Sequence, residues 1–164
     1  MNENQSIVEL LTNVPEEGLH IRELALLNEL SDGYASGLGI RFTKAGPDGV
    51  DAELPVSDKL LQITGIVNGG VYCTMAESIG SILGVIAANG KVVVGVNNST
   101  DFLSPVAAGV ISAEARVIRA GRNTQLISIE MFHRDKLIAR TTLRTMLAPA
   151  PAEGPATNRA DKYV

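Results

Sequence analysis

The sequence predicts an α+β fold in which an antiparallel sheet wraps around one long central helix. The first observation is a long apolar stretch, residues 65–88, which contains the pair Gly69-Gly70 near its start and is followed by Asn89-Gly90. A glycine-rich start and an Asn-Gly stop are typical helix boundaries. The second observation is that two strand-like segments precede this helix and four closely spaced ones follow it. Sequential strands with short loops form antiparallel sheets.

The segments that precede the long helix are short. Apolar residues at helical spacing predict helices at residues 6–12 and 19–30. Alternating apolar residues then predict one strand at 38–43 and a second at 50–56, which Pro55 ends or places at a sheet edge. Between these strands, the composition of residues 45–49 predicts a hairpin turn.

The segments that follow the long helix predict four strands. The first begins at residues 92–96, continues into a polar run at 97–101, and is followed by a connection at 102–109. Three more strands are expected at 110–120, 124–132 and 137–147, joined by turn-like sequence that places His133 in a hairpin turn. From residue 148 onward, Ala, Pro, Glu and Gly without periodicity predict a disordered tail. The chain therefore divides into a helical segment, 1–35, a sheet-and-helix domain, 36–147, and a tail, 148–164.

The composition argues against several classes of protein. The net charge is −4 at pH 7, whereas nucleic-acid-binding surfaces are basic. The N-terminus lacks the pattern of a secretory signal, and the long helix is interrupted by Glu77 and Ser78, which favours a core helix over a membrane span. Cys73 is the only cysteine, so an intramolecular disulfide is excluded and a reducing cytoplasm is expected. Because neither His is expected near Cys73, we interpret this residue as part of the core rather than as a nucleophile.

Glu77 is the residue of the long helix that does not suit a core. It is the only carboxylate between Gly65 and Gly90, and that stretch contains no Lys or Arg to pair with it. Apolar residues fall on every face of the helix, so we expect the helix to be buried all round. Burying an unpaired carboxylate costs several kcal/mol, which a chain tolerates mainly where the group has a function. The structural alternatives are an Arg partner from another strand or exposure at an oligomer interface.

The same segments carry a resemblance to a known family. The order strand–strand–helix–four strands, with Asn68-Gly69-Gly70-Val71 opening the helix and Glu77 within it, resembles the hotdog-fold acyl-CoA thioesterases. The resemblance is strongest to the phenylacetic-acid-pathway and Arthrobacter-type 4-hydroxybenzoyl-CoA thioesterase branch and covers residues 36–147. The polar run and its connection, 97–109, and the pair Gly121-Arg122 stand at the expected distances. The resemblance implies an enzyme that hydrolyses an aryl or medium-chain acyl-CoA to free acid and CoA.

The resemblance also implies roles for residues near the helix start. In that branch the helix opens with His-Gly-Gly, and the His positions or polarises the thioester. Here Asn68 replaces the His, and its amide can still donate a hydrogen bond to a carbonyl oxygen. Gln62 corresponds to a residue that contacts the substrate, and Ser81, one turn after Glu77, to one that orients the water or the carboxylate. Glu77 would act as the nucleophile or as the general base, and both roles remain open.

The helix start suits the stabilisation of an oxyanion. The first N–H groups of a helix lack partners within it and lie at its positive end, and here they belong to Gly69, Gly70 and Val71. An ordinary glycine-rich helix start is the alternative. Gly70 and Glu77 are seven residues apart, which is about 10 Å along a helix. One helix therefore cannot supply both groups to one carbon atom, and we expect paired subunits that share two sites.

The expected ligand is acyl-CoA, with no metal and no cofactor beyond the CoA of the substrate. The family binds CoA phosphates near one strand-to-strand turn, whose residues here are Gly121, Arg122 and Asn123. A solvated turn arginine is the alternative for Arg122. The candidates for lining the pantetheine or acyl channel are Asn98, Ser99 and Thr100. We expect a homodimer, or a homotetramer built as a dimer of dimers.

Two other functions are compatible with the fold. A non-catalytic acyl-CoA-binding protein is the main alternative because Asn68 replaces the His. The combination of Glu77, Gln62 and Ser81 favours an enzyme, since a binding module does not need a buried carboxylate. A hydratase or dehydratase of the same fold would need a His beside the acid, and no predicted element brings one to Glu77.

Overall fold

A six-stranded antiparallel sheet packs against one long helix in the computed structural model, which describes residues 3–31 and 33–148. The helices are α1 (Glu3–Leu10), α2 (Ile21–Leu30), α3 (Tyr34–Leu38) and α4 (Gly69–Ala87), with a short 3₁₀ helix at Asp58–Leu60. The strands are β1 (Arg41–Gly46), β2 (Gly49–Pro55), β3 (Val93–Phe102), β4 (Val110–Ala120), β5 (Thr124–His133) and β6 (Lys136–Leu147). The α+β class and the central helix are confirmed. The predicted tail, apart from Ala148, lies outside the described residues.

The strand order is β1-β2-β4-β5-β6-β3, and every neighbouring pair is antiparallel. Strands β4, β5 and β6 follow each other as hairpins, as their short connections predict. Strand β3 does not pair with β4, its successor in the chain, but lies at the sheet edge beside β6. The segment 103–109 therefore leads from one edge of the sheet back to its middle.

The ends of α4 are fixed by local hydrogen bonds. The Asn68 side chain caps its start by accepting a hydrogen bond from the Gly70 N–H at 2.8 Å. At its end, Asn89 and Gly90 adopt positive φ angles of 51° and 80°, and the Gly90 N–H returns to the Val85 carbonyl at 2.9 Å. The predicted boundaries are close, but Gly65 belongs to the preceding turn, where its φ is 78°.

The sheet buries one face of α4. Met75, Ile79 and Leu83 on this face are completely buried. Gly80 and Gly84 allow the sheet to approach closely, because a Cβ at either position would collide with a side chain of β5 or β6. By length and composition, α4 is the one described helix able to cross a membrane, but half of it is buried inside this fold, as in a core helix.

The other face of α4 is only half-buried and carries Cys73, Glu77 and Ser81. The expectation that α4 is buried all round is therefore wrong for the single chain, and Cys73 is not a full core residue. The reason is geometric: one sheet covers one side of a helix, and apolar composition alone does not supply a second layer.

Several boundaries before α4 differ from those predicted. Residues Tyr34–Leu38 form α3 rather than the start of a strand, because Gly39 takes a φ of 99° and ends the helix before β1 begins at Arg41. The hairpin turn is shorter than predicted, since β1 extends to Gly46 and β2 begins at Gly49. His133 ends β5 instead of lying in the turn that follows.

Candidate active site

Glu77 lies on the face of α4 that the sheet leaves half-exposed. Its Oε2 accepts a hydrogen bond from the Asn98 side-chain amide at 3.3 Å. The same amide group donates to the Cys73 carbonyl at 3.0 Å, one helical turn before Glu77. Among residues 3–31 and 33–148, Glu77 forms no ion pair, so the alternative of an Arg partner from another strand is not seen. The carboxylate is held by an amide and has no counter-ion in the described chain.

A β-bulge brings Asn98 to the helix. The pairing of β3 with β6 shifts by one residue at Val96, between the pairs Gly95–Thr145 and Asn97–Arg144. An extra residue in a strand reverses which side chains face the core from that point onward. Asn98 and Thr100 therefore point towards α4, whereas Ser99 lies on the opposite side of the sheet, and these three predicted channel residues do not share one face.

Gly95 provides the space that the Glu77 carboxylate occupies. A Cβ on residue 95 would lie 2.9 Å from the Glu77 Cδ and still closer to its Oε1. Gly95 is not among the residues predicted from the sequence, because glycine carries no reactive group. A glycine inside a strand does signal a bulge or a close approach, and that signal was available.

A cavity of about 360 Å³ opens beside the carboxylate. Its lining includes Cys73, Thr74 and Ser78 from α4 and Asn98 from β3. The remaining wall is Tyr34 of α3, whose hydroxyl lies 3.4 Å from the Thr74 Oγ. Tyr34 was missed because the segment before residue 36 was assigned to a separate helical extension. The cavity is large enough for a small substituent beside the carboxylate.

At the start of α4, the hydrogen bonds leave one backbone donor free. The Gly70 N–H is taken by the Asn68 side chain and the Val71 N–H by the Asn68 carbonyl at 3.0 Å. The expectation of three unpaired N–H groups is therefore wrong, because Asn68 acts as the N-cap. Within the described residues, only the Gly69 N–H of these three has no acceptor. The Asn68 Nδ2 also lacks an acceptor there and remains available to donate.

A second cavity, of about 460 Å³, lies at this helix start. Gln62 and Gly69 line it together with the aromatic rings of Tyr72 and Phe102. The Phe102 ring packs so closely on the helix start that a Cβ on Gly69 would lie 2.9 Å from it. Gln62 is held in a turn by its own backbone and donates from Nε2 to the Thr64 hydroxyl at 2.9 Å.

The Tyr72 hydroxyl is buried and has no hydrogen-bond partner within the described residues. The side chain is 4% exposed, and its ring lies 5.9 Å from that of Phe102. Burial raises the pKa of the Tyr72 phenol, so the hydroxyl stays protonated. It is therefore an unused hydrogen-bond donor in the wall of the cavity at the helix start.

A third cavity, of about 330 Å³, contains the predicted phosphate site. Gly121 and Arg122 line it with Arg119 of β4 and Arg144 of β6. Arg144 was missed because it is distant in sequence; Leu126 of β5 pairs with both Arg119 and Arg144 and brings them to one surface.

The remaining predicted residues lie outside these contacts. Asn123 is not part of the lining of the arginine cavity, and its carbonyl accepts a hydrogen bond from the Leu147 N–H at 2.9 Å. Ser81 is half-buried one turn beyond Glu77, and its hydroxyl has no partner within the described residues. Residues 3–31 and 33–148 contain no cluster of three or more His, Cys, Asp or Glu that could hold a metal ion.

Within one chain, the predicted residues therefore lie in three separate cavities. Glu77 and Asn98 share the first, Gln62 and Gly69 the second, and Arg122 lies in the third. Eight residues of helix separate Gly69 from Glu77, which corresponds to about 12 Å along the axis. Within one subunit, the carboxylate and the free backbone N–H do not meet.

Comparison with known proteins identifies the family. The model of the thioesterase superfamily matches residues 64–139. Rv1847 of Mycobacterium tuberculosis is 43% identical over 116 residues, which cover 68% of this chain and 83% of that protein. Its solved structure covers 70% of this chain and 95% of the other, with a TM-score of 0.68.

Two further relatives carry more specific names. The crystal structure of thioesterase HI1161 from Haemophilus influenzae is 35% identical, with a TM-score of 0.71, and covers 76% of this chain and 90% of that one. The 1,4-dihydroxy-2-naphthoyl-CoA hydrolase of Escherichia coli is 30% identical over 127 residues, which cover 76% of this chain and 93% of that protein. The resemblance seen in the sequence is confirmed: the chain is an enzyme of the thioesterase superfamily, with the hotdog fold.

Proposed function

We propose that this protein hydrolyses the thioester bond of an acyl-CoA, with Glu77 as the nucleophile or the general base. The observation that carries the proposal is the Glu77 carboxylate, which borders a cavity, accepts a hydrogen bond from Asn98 and has no counter-ion within the described residues. An anionic group without a structural partner is suited to attack the thioester carbonyl or to remove a proton from water. As a general base, Glu77 takes a proton from the water that adds to the carbonyl; as a nucleophile, it adds to the carbonyl itself, and water then hydrolyses the resulting anhydride. In both routes the C–S bond breaks, CoA leaves as the thiol, and the water oxygen ends in the free acid.

The proposed oxyanion hole consists of the Gly69 N–H and the Asn68 side-chain amide. Both donors have no acceptor within the described residues and lie at the positive end of α4. One such donor stabilises the transition state by about 3–4 kcal/mol. Gln62 lines the same cavity and is proposed to contact the substrate. Ser81, one turn beyond Glu77, is proposed to orient the attacking water.

The site is proposed to form between two copies of the chain. The Gly69 N–H and Glu77 lie in different cavities about 12 Å apart along one helix, so one subunit would supply each group. Two features support such a dimer. The outer edge of β3 has no neighbouring strand in the described sheet and exposes Val94 and Val96, and the adjacent face of α4 is half-exposed. A second β3 paired to this edge would cover both. We propose this dimer as the unit that contains two complete sites, and as the building block of a homotetramer if one forms.

The phosphates of CoA are proposed to bind at the cavity lined by Arg119, Arg122 and Arg144. Arginines bind phosphate oxygens through charge-assisted and frequently bidentate hydrogen bonds. The acyl group is proposed to be aryl or medium-chain, and the naphthoyl substrate named for the Escherichia coli relative supports the aryl class. The reaction needs no cofactor beyond the substrate's CoA, and we expect it to occur in the cytoplasm.

The first experiment measures release of the CoA thiol from aryl, short-chain and medium-chain acyl-CoAs. Glu77→Gln removes the charge at nearly constant shape and is expected to lower kcat by about 10²–10⁴-fold. Glu29→Gln, at an exposed position on α2, is the matched control and should leave kcat unchanged. Turnover that survives Glu77→Gln would eliminate the proposed role of Glu77. CoA binding without turnover of any acyl-CoA by the wild type would favour a binding protein.

The shared site is tested by complementation. Glu77→Gln and Gly69→Ala chains, each inactive alone, are co-expressed with different affinity tags, and the mixed oligomers are assayed. If each site uses Glu77 of one chain and Gly69 of the other, a mixed dimer keeps one intact site. Random mixing then restores about a quarter of wild-type turnover, because about half of the dimers are mixed. Sites contained within single chains would give no recovery.

A further inference from the structure

We infer that Thr141 is a positioning residue for the thioester hydrolysis, acting on Glu77 through Thr100 and Asn98. The inference rests on the proposed function, because it assigns a role in orienting the carboxylate that is proposed to react. It also gives Asn98 and Thr100 a different task from the lining of a substrate channel.

The contacts form a continuous chain from the interior of the sheet to the carboxylate. The Thr141 Oγ lies 2.7 Å from the Thr100 Oγ across the paired strands β6 and β3. Thr100 Oγ donates to the Asn98 Oδ1 at 2.8 Å. Asn98 Nδ2 in turn reaches the Glu77 Oε2 at 3.3 Å and the Cys73 carbonyl at 3.0 Å. Asn98 and Thr100 lie on the face of the sheet that packs against α4 because the bulge at Val96 directs them there, and Thr141, which pairs with Thr100, lies on the same face of β6.

The number of hydroxyl protons determines which residue donates in each of these hydrogen bonds. A hydroxyl has one proton, and Thr100 uses its proton on the Asn98 Oδ1. At the contact between the two threonines, Thr141 must therefore be the donor. With Oδ1 committed as an acceptor, the Asn98 amide presents its N–H groups to Cys73 and Glu77. A reversed amide would direct Oδ1 at the carboxylate, and two acceptors would face each other.

Thr141 fixes one end of this series of hydrogen bonds, because its side chain has little room to move. Its side chain is 1% exposed and lies in the middle of the sheet, where β6 pairs with both β3 and β5. Thr100 and Asn98 are only half-buried, on the edge strand β3. The buried hydroxyl therefore holds two more mobile side chains, and the last of these holds the carboxylate. A hydroxyl buried at this position requires a partner, and the chain provides one.

The test compares Thr141→Val with Thr141→Ser. Valine keeps the volume and removes the hydroxyl, and we expect kcat to fall about three- to tenfold while KM changes less than about twofold, since one hydrogen bond is lost from the orienting chain. Serine retains the hydroxyl and should restore kcat to within about twofold of the wild type. Thr100→Val should lower kcat at least as much as Thr141→Val, because it frees the Asn98 amide directly.

Thr145→Val is the matched control. Thr145 is equally buried on the same strand, but its hydroxyl donates to Gln125 and takes no part in the hydrogen bonds that lead to Glu77. We expect Thr145→Val to change thermal stability as Thr141→Val does, with kcat unaffected. If Thr141→Val leaves kcat unchanged, or if both valine variants lower kcat in parallel with their Tm, the inference is wrong.

A double substitution separates this inference from the proposed function. In a Glu77→Gln background, Thr141→Val should cause little further loss of the residual turnover, because both changes act on one group. A full additional loss would show that Thr141 acts elsewhere and would overturn the inference. Full activity of Glu77→Gln alone would instead overturn the proposed role of Glu77, and with it this inference. Loss on Glu77→Gln with none on Thr141→Val overturns the inference and leaves the proposed function standing.

Discussion

Gly95→Ala is expected to lower kcat about 10²-fold while leaving the fold intact. The added Cβ would lie 2.9 Å from the Glu77 Cδ and closer to Oε1, whereas ordinary contact begins at 3.4 Å. The carboxylate must therefore move by on the order of 1 Å and lose its hydrogen bond from Asn98, and a misplacement of this size costs about 10²-fold in rate. This corresponds to about 2.7 kcal/mol of transition-state stabilisation.

The effect of Gly95→Ala on stability should be small. Gly95 is not among the glycines with positive φ, and Ala is preferred to Gly within a strand by about 0.5–1 kcal/mol. Any strain can be relieved by the flexible Glu77 side chain, so we expect the free energy of unfolding to change by less than about 1 kcal/mol.

The assay combines the kcat for acyl-CoA hydrolysis with a denaturant titration. Gly37→Ala is the control, because a Cβ at residue 37 meets no atom within 4 Å. Wild-type kcat in Gly95→Ala would refute the reasoning, since catalysis would not depend on where the carboxylate lies. A loss of kcat with an equally large loss of stability would also refute it, because the substitution would then act on the fold.

Three further predictions follow from the other cavities and from the surface. Arg122→Ala should raise KM for acyl-CoA at least about tenfold with little change in kcat, because a charge-assisted hydrogen bond to phosphate is lost; Arg134→Ala, in a hairpin turn, is the control, and an unchanged KM would place the phosphates elsewhere. Tyr72→Phe should raise the free energy of unfolding by about 1 kcal/mol or more, since it removes a buried hydroxyl that has no partner within the described residues; a decrease would reveal a partner. The hydrogen bond from Lys44 holds the pKa of Asp48 below its usual value. The ionised carboxylate therefore stabilises the fold at any pH above the ordinary pKa of Asp, and this stabilisation is lost as the pH falls through the lowered pKa of Asp48. Asp48→Asn should therefore make the acid limb of a stability–pH curve slightly less steep, by less than about 1 kcal/mol because the pair is exposed, and an unchanged curve would contradict this.

The order of elements was predictable from local patterns. The glycine-rich start, the apolar length and the Asn-Gly stop predict the long helix. Alternating apolar residues and turn residues predict strands β4 to β6. These signals arise from neighbours in sequence, and the structure confirms them. The position of β3 beside β6 was not predictable in this way, because it depends on which edge of the sheet is free.

The candidate site was only partly predictable. Glu77 was found because a lone carboxylate in an apolar helix is visible in the sequence, and its neighbour Asn98 was included in the polar run. Gly95 was not predicted because it contributes only the space that the carboxylate occupies. Thr141 was not predicted because a threonine is common in a strand, and its sequence position does not show what its hydroxyl contacts. The capping role of Asn68, which occupies two of the three expected backbone donors, required the geometry of the helix start.

The extra residue in β3 lets the strand lose one residue at the bulge, but not beyond it, without changing which side chains face α4. Val96 is exposed and could be replaced by many residues without altering which way its neighbours point. Removing residue 96 would let Asn97 follow Gly95 in regular alternation, so the pairs Asn97–Arg144 and Asn98–Leu143 would be kept and Asn98, Thr100 and Phe102 would still face α4. Removing Ser99 would instead turn either Asn98 or Thr100 outward, because these two residues would then be adjacent in the strand. Glu77 would lose its amide donor, or that amide would lose its hydrogen bond from Thr100. Among descendants of this sequence, substitutions and single deletions at position 96 should be tolerated, whereas single-residue deletions between Asn98 and Thr100 should be eliminated by selection.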